Sequence, residues 1–277
     1  MRLGGPIPGP FAGPEAWIAA LRERGYRAAY CPLPLAPVDG AVAAYAEAAA
    51  TADIVIAEFG AWCNPLSPDP AARAAAIERC IKALTLAERI GARCCVNIAG
   101  SRGTKWDGPH ADDLTDTTFD LIVATTQQII DAVQPTRTRY VLEPMPWMYP
   151  DSPESYLRLM AAIDRPGFAV HLDPVNWINS PQRYFRNGDF IRESVATLGH
   201  AVVAVHAKDI ILREQLTVHL DEVRPGLGTL DYPTLLRELD RLDPDLPLLL
   251  EHLPSDAEYR AAAAYVRQVA RDVGVHV

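Results

Sequence analysis

The stretch Val202-Val203-Ala204-Val205-His206 decides the fold class of the chain, because it is an apolar run of strand length that ends in a polar side chain. Five further runs have the same design, and a helix-like segment follows each of them. Strands that are buried on both faces of a parallel sheet have this near-continuous apolar character. The five runs are Ile54-Val55-Ile56-Ala57-Glu58, Cys94-Cys95-Val96-Asn97, Tyr140-Val141-Leu142-Glu143, Phe168 to Asp173 and Leu248-Leu249-Leu250-Glu251.

Outward from these runs, the whole chain alternates between strand-like and helix-like segments. The predicted strands cover residues 2–5, 27–31, 53–58, 93–98, 139–143, 168–173, 202–206 and 247–251. The predicted helices lie near residues 14–24, 40–50, 69–91, 116–134, 152–163, 185–198, 232–241 and 256–272. Regular alternation predicts a parallel sheet of the α/β class, and eight units favour a closed (β/α)8 TIM barrel over an open sheet. The longest connections follow the third, fourth and seventh strands, on the side where barrel enzymes build their sites.

Length and composition agree with a single barrel domain over residues 1–277. The chain is close to the roughly 250 residues typical of this barrel, and 49 % of its residues are hydrophobic. No apolar run approaches the roughly 18 residues that span a bilayer, and the N-terminal residues lack the apolar region of a secretory signal. The five cysteines form no CxxC pair, so we expect reduced thiols in a cytoplasmic protein without a membrane partner. The net charge of −9 argues against a nucleic-acid partner.

Four of the polar strand ends form a candidate metal site. Glu143, Asp173, His206 and Glu251 end the last four predicted strands in succession. Because the carboxyl ends of barrel strands meet at one mouth, with neighbouring strands about 5 Å apart, these side chains can converge on one ion. Three carboxylates and one imidazole are a hard-donor set that suits Mn²⁺ foremost, with Mg²⁺ and Co²⁺ as alternatives. A rim ion pair could explain any one of the four, but not four successive strand ends.

Such a site predicts proton-transfer chemistry. An ion that polarises a carbonyl group acidifies the adjacent C–H bond and stabilises the enediolate that follows. One carboxylate can take the proton and a second on the opposite face can return it, which is the work of an isomerase or epimerase. The same groups could expel a leaving group β to the carbonyl, so a lyase or hydrolase acting on a keto-sugar derivative stays an alternative.

The motifs around these residues resemble those of the xylose isomerase-like superfamily of sugar isomerases and epimerases. The resemblance implies that Glu143, Asp173, His206 and Glu251 bind one Mn²⁺-type ion, and that Glu143 and Glu251 act as a catalytic acid/base pair across the substrate. It further implies a small carbohydrate-like substrate, and the question of a homo-oligomer stays open. The matching segments are Leu142-Glu143-Pro144, His171 to Asn176, His206-Ala207-Lys208-Asp209, Pro225-Gly226-Leu227-Gly228 and Leu250-Glu251.

Three departures from the family pattern bear on the substrate. The segment Met145 to Tyr149 has no glutamate, Asn176 stands where a histidine is common, and Leu227 replaces an acid. Each change removes a polar contact to a free sugar, so we expect a modified sugar such as a keto-glycoside, a sugar acid or a cyclitol. Tryptophans that follow the third to sixth strands add apolar surface to the predicted mouth. They are Trp62, Trp106, Trp147 and Trp177.

Other polar or aromatic residues near the strand ends are predicted substrate contacts. We expect His171 to pack in the core and His252 to point to the helix layer, with a position at the rim as the alternative for His252. The predicted substrate-binding residues are Glu58, Asn97, Trp147, Asn176, Lys208 and Asp209.

Two rival functions are considered on the same fold. A DNA-repair enzyme of the endonuclease IV type would need several further histidines, but the second and third predicted strands end without one and the charge is acidic. A catalytically silent barrel would have lost a metal ligand, and all four candidate ligands are present.

Overall fold

Eight parallel strands close into a barrel in the computed structural model, which describes residues 1–277. They are β1 (Arg2–Gly4), β2 (Ala28–Tyr30), β3 (Val55–Gly60), β4 (Cys94–Asn97), β5 (Arg139–Leu142), β6 (Phe168–Leu172), β7 (Val202–Ala207) and β10 (Pro247–Leu250). Two more strands, β8 (Asp209–Arg213) and β9 (His219–Val223), form a separate antiparallel hairpin. The order around the barrel is β1-β10-β7-β6-β5-β4-β3-β2. The predicted TIM barrel is confirmed, and every predicted strand is present within two residues of its expected bounds.

Helices surround the barrel, and their ends follow local sequence signals. Asp69 Oδ1 accepts hydrogen bonds from the N–H groups of Ala71 and Ala72, and Ser152 and Ser155 form a reciprocal capping box, so both helices begin with satisfied donors. None of the helices is both long and apolar enough to cross a membrane. The helices are α1 (Pro14–Arg24), α2 (Ala41–Thr51), α3 (Pro70–Ile90), α4 (Asp116–Val133), α5 (Pro153–Ile163), α6 (Pro174–Trp177), α7 (Pro181–Phe185), α8 (Asn187–Leu198), α9 (Tyr232–Leu239) and α10 (Asp256–Val273).

Two barrel strands contain a register shift that changes which side chains point inward. The pairing of β3 with β2 skips one residue of β3, and the pairing of β7 with β6 skips one residue of β7. As a result Val202 and Val205, three residues apart, both pack in the outer core between barrel and helices. A bulge of this kind reverses the in–out alternation beyond it. The shifts therefore turn His206 of β7 and Glu58 of β3 into the barrel.

Candidate metal centre and pocket

Four ionisable side chains converge at the carboxyl end of the barrel. Glu143, Asp173 and Glu251 directly follow β5, β6 and β10, and His206 lies near the end of β7 between them. Their potential ligand atoms all lie within 4.8 Å of one another, and all four residues are buried. His206 Nδ1 is 3.0 Å from Glu251 Oε1, 3.3 Å from Glu143 Oε1 and 3.9 Å from Asp173 Oδ2. The four predicted ligands therefore share one small volume.

Lys208 is the cation that faces these carboxylates. Its buried Nζ lies 2.7 Å from Asp173 Oδ2, 2.9 Å from Glu251 Oε1 and 3.2 Å from Glu143 Oε1. Asp173 Oδ2 and Glu251 Oε1 are within ion-pair distance of this ammonium group, but neither of these two atoms accepts a hydrogen bond of good geometry. With His206 in the neutral form that a metal ligand requires, three carboxylates against one ammonium leave two negative charges, which is the charge that a divalent cation would balance. The donor types and the charge of the cluster thus fit a hard divalent ion.

The pKa shifts show which carboxylate is least well compensated. Burial opposes ionisation of Glu143, but Lys208 and His206 hold its pKa at about 2. Burial likewise opposes ionisation of Glu251, whose pKa is nevertheless lowered by His206 and Lys208. For Asp173, burial dominates, and repulsion from Glu143 adds to it, so its pKa rises to about 6 despite Lys208. Asp173 therefore has the greatest need of a further positive charge.

Glu58 lies beneath the cluster inside the barrel, not at the pocket. Its Oε1 is 3.3 Å from His206 Nε2 and its Oε2 is 3.1 Å from His171 Nε2. Burial disfavours its charge, but His206 and His171 lower its pKa to about 2. The expectation that Glu58 contacts substrate is therefore corrected, because the register shift of β3 places the carboxylate below His206. His171 lies in the barrel core as expected, with its ring edge-on to His206 at a centroid distance of 4.1 Å.

Asn97 faces the helix layer, which also corrects its expected role as a substrate contact. Its side-chain oxygen accepts a hydrogen bond from Cys63 N at 3.1 Å, and its Nδ2 donates to Cys63 O at 3.1 Å. The amide is completely buried. The Asn97 amide therefore holds the loop after β3 in place through the Cys63 backbone and has no free hydrogen-bonding group for a ligand.

Asp209 is a structural anchor for the turn that carries Gly226 and Gly228. Its carboxylate accepts four backbone hydrogen bonds, from Ile210, Gly226, Gly228 and Leu230, at 2.8 to 3.0 Å. A side chain at Gly228 would place its Cβ only 2.3 Å from Asp209 Oδ1, so the turn can approach this closely only with glycine. All four contacts are internal, and the expected substrate contact of Asp209 is corrected.

A cavity of about 390 Å³ opens beside the cluster and is lined by both aromatic and polar side chains. Three of the expected substrate contacts, Trp147, Asn176 and Lys208, lie in its wall. The amide of Asn176 donates to Glu143 Oε1 at 3.1 Å, and the indole N–H of Trp147 donates to Asp107 O at 3.0 Å. Trp62 and Trp106 also line the cavity, as predicted for the mouth.

The expected place of Trp177 was wrong. Its indole is completely buried, and its Nε1 donates to Pro150 O at 2.9 Å. The short helix α6 that begins after Asp173 turns the chain inward, so the side chain fills the core beneath the loop.

Two further residues line the pocket, Glu222, which sequence reasoning missed, and His252, for which it favoured another position. Glu222 lies on β9, where its Oε2 is 3.7 Å from Lys208 Nζ and 3.2 Å from His252 Nδ1. His252 has a left-handed backbone, with φ of 55°, so the chain turns directly after Glu251 and presents the imidazole to the cavity. The favoured expectation that His252 points to the helix layer was therefore wrong, and the alternative position at the rim is the one found. The hairpin that carries Glu222 has too few apolar positions to be predicted as a pair of strands.

Comparison with known proteins gives one family and several similar folds. Residues 16–269 match the family model described as Xylose isomerase-like TIM barrel. No curated protein matches the chain. A xylose isomerase-like TIM barrel protein from Mycobacterium smegmatis, solved in complex with magnesium, is 16 % identical, with a TM-score of 0.67 over 95 % of this chain and 90 % of that chain.

Two further solved structures have the same fold. A probable 3-DHS dehydratase from Bacillus anthracis, involved in petrobactin synthesis, is 16 % identical, with a TM-score of 0.69 over 92 % of each chain. A D-psicose 3-epimerase from Clostridium cellulolyticum, solved with D-tagatose, is 14 % identical, with a TM-score of 0.69 over 100 % of both chains. At these identities the likeness supports the architecture of the chain.

Proposed function

Because the chain belongs to the xylose isomerase-like TIM barrel family, we propose that it is a divalent-metal-dependent enzyme that moves a proton on a carbohydrate-like substrate. One observation carries the proposal: three buried carboxylates and an imidazole share a volume less than 5 Å across, with a single ammonium group to balance them. Such a cluster costs free energy in a folded protein unless a ligand uses it.

In this proposal Glu143, Asp173, His206 and Glu251 hold one divalent ion. The oxygen-rich donor set favours Mn²⁺, with Mg²⁺ or Co²⁺ as alternatives, and the relative from Mycobacterium smegmatis was solved with magnesium. When bound, the ion would polarise a substrate carbonyl and so acidify the neighbouring C–H bond.

The two glutamates are the proposed proton carriers. Glu143 and Glu251 follow β5 and β10, at the two ends of the four-strand arc, with the strands of Asp173 and His206 between them. A substrate above the arc would meet one carboxylate on each side. Both pKa values lie below the ordinary range, so both groups are ionised at neutral pH, which is the state that a proton acceptor must have. The amide of Asn176 fixes the orientation of Glu143.

The first step is common to an epimerase and a lyase. One carboxylate takes the proton next to the carbonyl. Return of a proton by the other carboxylate gives an isomer or epimer, whereas loss of a group in the β position gives an elimination product. The D-psicose 3-epimerase among the similar structures supports the first outcome, and the probable dehydratase supports the second. We favour isomerisation or epimerisation and keep the lyase as the alternative.

The test measures two quantities in wild type and variants, the bound metal and the exchange of substrate protons with solvent. We expect one equivalent of ion by elemental analysis after loading with Mn²⁺, and its loss in Asp173→Asn. We further expect Glu251→Gln to abolish exchange of the substrate C–H with solvent deuterium even where some ion is retained, because glutamine cannot accept the proton. Asp221→Asn, an exposed change in the hairpin, serves as the control. Full metal content in Asp173→Asn would place the ion elsewhere, and unchanged exchange in both Glu143→Gln and Glu251→Gln would contradict the two-carboxylate mechanism.

The pocket favours a modified sugar over a free ketohexose. Trp62, Trp106 and Trp147 leave part of its wall without hydrogen-bonding partners for hydroxyl groups. Each buried hydroxyl that lacks a partner costs about 1–3 kcal/mol, and two or three would lower the specificity constant by several decades. We expect low turnover of D-fructose and D-psicose and higher turnover of keto-glycosides, sugar acids or cyclitols, in assays with Mn²⁺ that score both isomers and elimination products.

The variant Trp147→Ala separates the two substrate classes. We expect it to reduce kcat/KM for the true substrate more than for a small ketose, because only the larger substrate covers the indole. A kcat/KM above about 10⁴ M⁻¹s⁻¹ on D-fructose or D-psicose would instead identify an ordinary ketose epimerase.

A further inference from the structure

Two buried side chains lie directly beneath His206, on the side away from the pocket. Glu58 Oε1 is 3.3 Å from His206 Nε2, Glu58 Oε2 is 3.1 Å from His171 Nε2, and all three side chains are completely buried. We propose that Glu58 and His171 are positioning residues, which hold His206 with its Nε2 protonated and its Nδ1 directed at the ion. The inference rests on the proposed metal site.

The charge of Glu58 fixes where the protons lie. No lysine or arginine lies within ion-pair distance of this buried carboxylate, and its only hydrogen-bonding neighbours are the two imidazole Nε2 atoms. A buried carboxylate without donors is strongly unfavourable, so both nitrogens must carry a proton and donate it. An imidazole that binds a metal ion is neutral and has one proton, so with the ion bound the lone pair of His206 lies on Nδ1, the atom that faces Glu143 and Glu251.

Histidines that bind metals usually donate their other N–H to a carboxylate or a carbonyl. Such a contact selects the tautomer, fixes the ring and raises the basicity of the ligand atom. Glu58 is the carboxylate that accepts this hydrogen bond from His206 Nε2, and His171 Nε2 donates a hydrogen bond to the other oxygen of Glu58.

The backbone supports the contact on both sides. The register shift of β7 turns His206 inward and the register shift of β3 turns Glu58 inward. Strands β3 and β7 are not neighbours in the barrel. Two independent register shifts are therefore needed to form the hydrogen bond between His206 and Glu58. The edge-on ring of His171, inclined at 71° to that of His206, limits rotation of the ligand ring.

A second ion held by Glu58, His171 and His206 is the competing explanation, since these side chains also lie within 4.8 Å of one another. Two observations favour positioning. The group has one carboxylate and no solvent-exposed side chain, and an ion on His206 Nε2 would compete with the ion on Nδ1 for one imidazole. Metal stoichiometry separates the two explanations.

The first measurement is Mn²⁺ affinity by calorimetric titration of the whole chain. We expect one ion per wild-type chain, about 10- to 100-fold weaker binding in Glu58→Gln, and a smaller loss in His171→Gln, which acts one step further away. The matched control is Asp113→Asn. Asp113 is also a buried carboxylate, but it accepts hydrogen bonds from Ser101 Oγ and Arg102 N outside the cluster, so its change should leave the affinity within twofold.

The second measurement observes the protons in wild-type protein. Nitrogen-15 NMR of histidine-labelled protein should show His206 Nε2 protonated both without metal and with Mg²⁺, its signal being identified by its loss in His206→Gln. An unprotonated Nε2, or a Glu58→Gln affinity for Mn²⁺ within twofold of wild type, would overturn the proposal.

Two ions per wild-type chain, with one lost equally in Glu58→Gln and His171→Gln, would show a second metal site instead. Absence of Mn²⁺ binding in wild type would overturn the proposed function, while a comparison of the His206 Nε2 signal in metal-free wild type and metal-free Glu58→Gln would still decide whether Glu58 orients His206, because an unchanged signal would exclude that role.

Discussion

At the scale of single residues, Asp209 shows that a carboxylate at a strand end can stabilise the rim of a site without serving a ligand. Asparagine at this position would present an N–H group to backbone N–H groups. We expect Asp209→Asn to lower the free energy of unfolding by about 2–3 kcal/mol, because buried donors lose a charged acceptor. Urea unfolding measures the loss.

The control for this prediction is Asp221→Asn. Asp221 is exposed and pairs with Arg213 at 2.8 Å, so its change should stay within about 0.5 kcal/mol. If Asp209→Asn has the same free energy of unfolding as wild type but a higher KM for the true substrate, Asp209 does not stabilise the turn and instead contacts the substrate, as first expected.

The sequence predicted the positions of polar strand ends but not the directions of all their side chains. Glu143, Asp173 and Glu251 were predictable because each directly follows an apolar strand and meets its neighbours at the barrel mouth. Glu58 and Asn97 occupy similar positions in sequence. A register shift places the Glu58 side chain inside the barrel below His206, and the Asn97 side chain points to the helix layer. A bulge is defined by how a strand pairs with its neighbours. The sequence of one strand therefore does not predict where a bulge occurs.

At the scale of elements, one carboxylate connects helix α3 to the loop that precedes strand β5. Glu88, near the end of α3, accepts hydrogen bonds from Thr136 N and Oγ1, Arg137 N and Thr138 N at 2.7 to 3.1 Å. Partial burial opposes its charge, but these donors lower its pKa from an ordinary 4.5 to about 2. The loop that leads into β5 therefore depends on an ionised Glu88.

This contact predicts a pH dependence of stability. Because the folded pKa lies below the unfolded value, the contribution is complete above about pH 4.5 and disappears as the pH falls to about 2. We expect Glu88→Gln to lower the free energy of unfolding at pH 7 by about 1–2 kcal/mol, after allowance for solvent screening of this partly exposed group.

The measurement is urea unfolding of both proteins between pH 2 and pH 7, in which the difference should vanish at the acid end. The exposed Glu78→Gln, which removes a pair with Lys82 on the same helix, is the control. A wild-type advantage that is constant across the range would contradict the assignment.

The elements that the sequence predicted are long and periodic, and those it missed are short. Helices α6 and α7 have four and five residues, too few for a helical period to be recognised. They depend on the caps Asp173 and Ser180, which accept backbone hydrogen bonds at their first turns. The hairpin of β8 and β9 was missed because β9 is largely exposed and lacks a buried face.

At the scale of the whole molecule, a single domain over residues 1–277 stays a prediction. A single domain should lose its secondary structure and its tryptophan environment in one thermal transition. Mn²⁺ at about 100 times its Kd should stabilise the fold by about 2.7 kcal/mol, which corresponds to roughly 5 °C in Tm for a chain of 277 residues.

Circular dichroism and fluorescence melts, each with and without Mn²⁺, provide the measurement. His206→Ala should melt at the same temperature with and without the ion. Two separated transitions would contradict the single domain, and an equal Mn²⁺ shift in His206→Ala would contradict the site.

The distribution of tryptophans gives the molecule a built-in optical reporter. Trp62, Trp106 and Trp147 line the cavity and are each 37–39 % exposed, whereas Trp17 and Trp177 are buried in the core. A compound that fills the cavity covers only the first group, so the emission should move to shorter wavelength and lose its sensitivity to acrylamide, over a constant background from the buried pair. Candidate substrates can therefore be sorted by binding alone, in unlabelled protein, before any product is known.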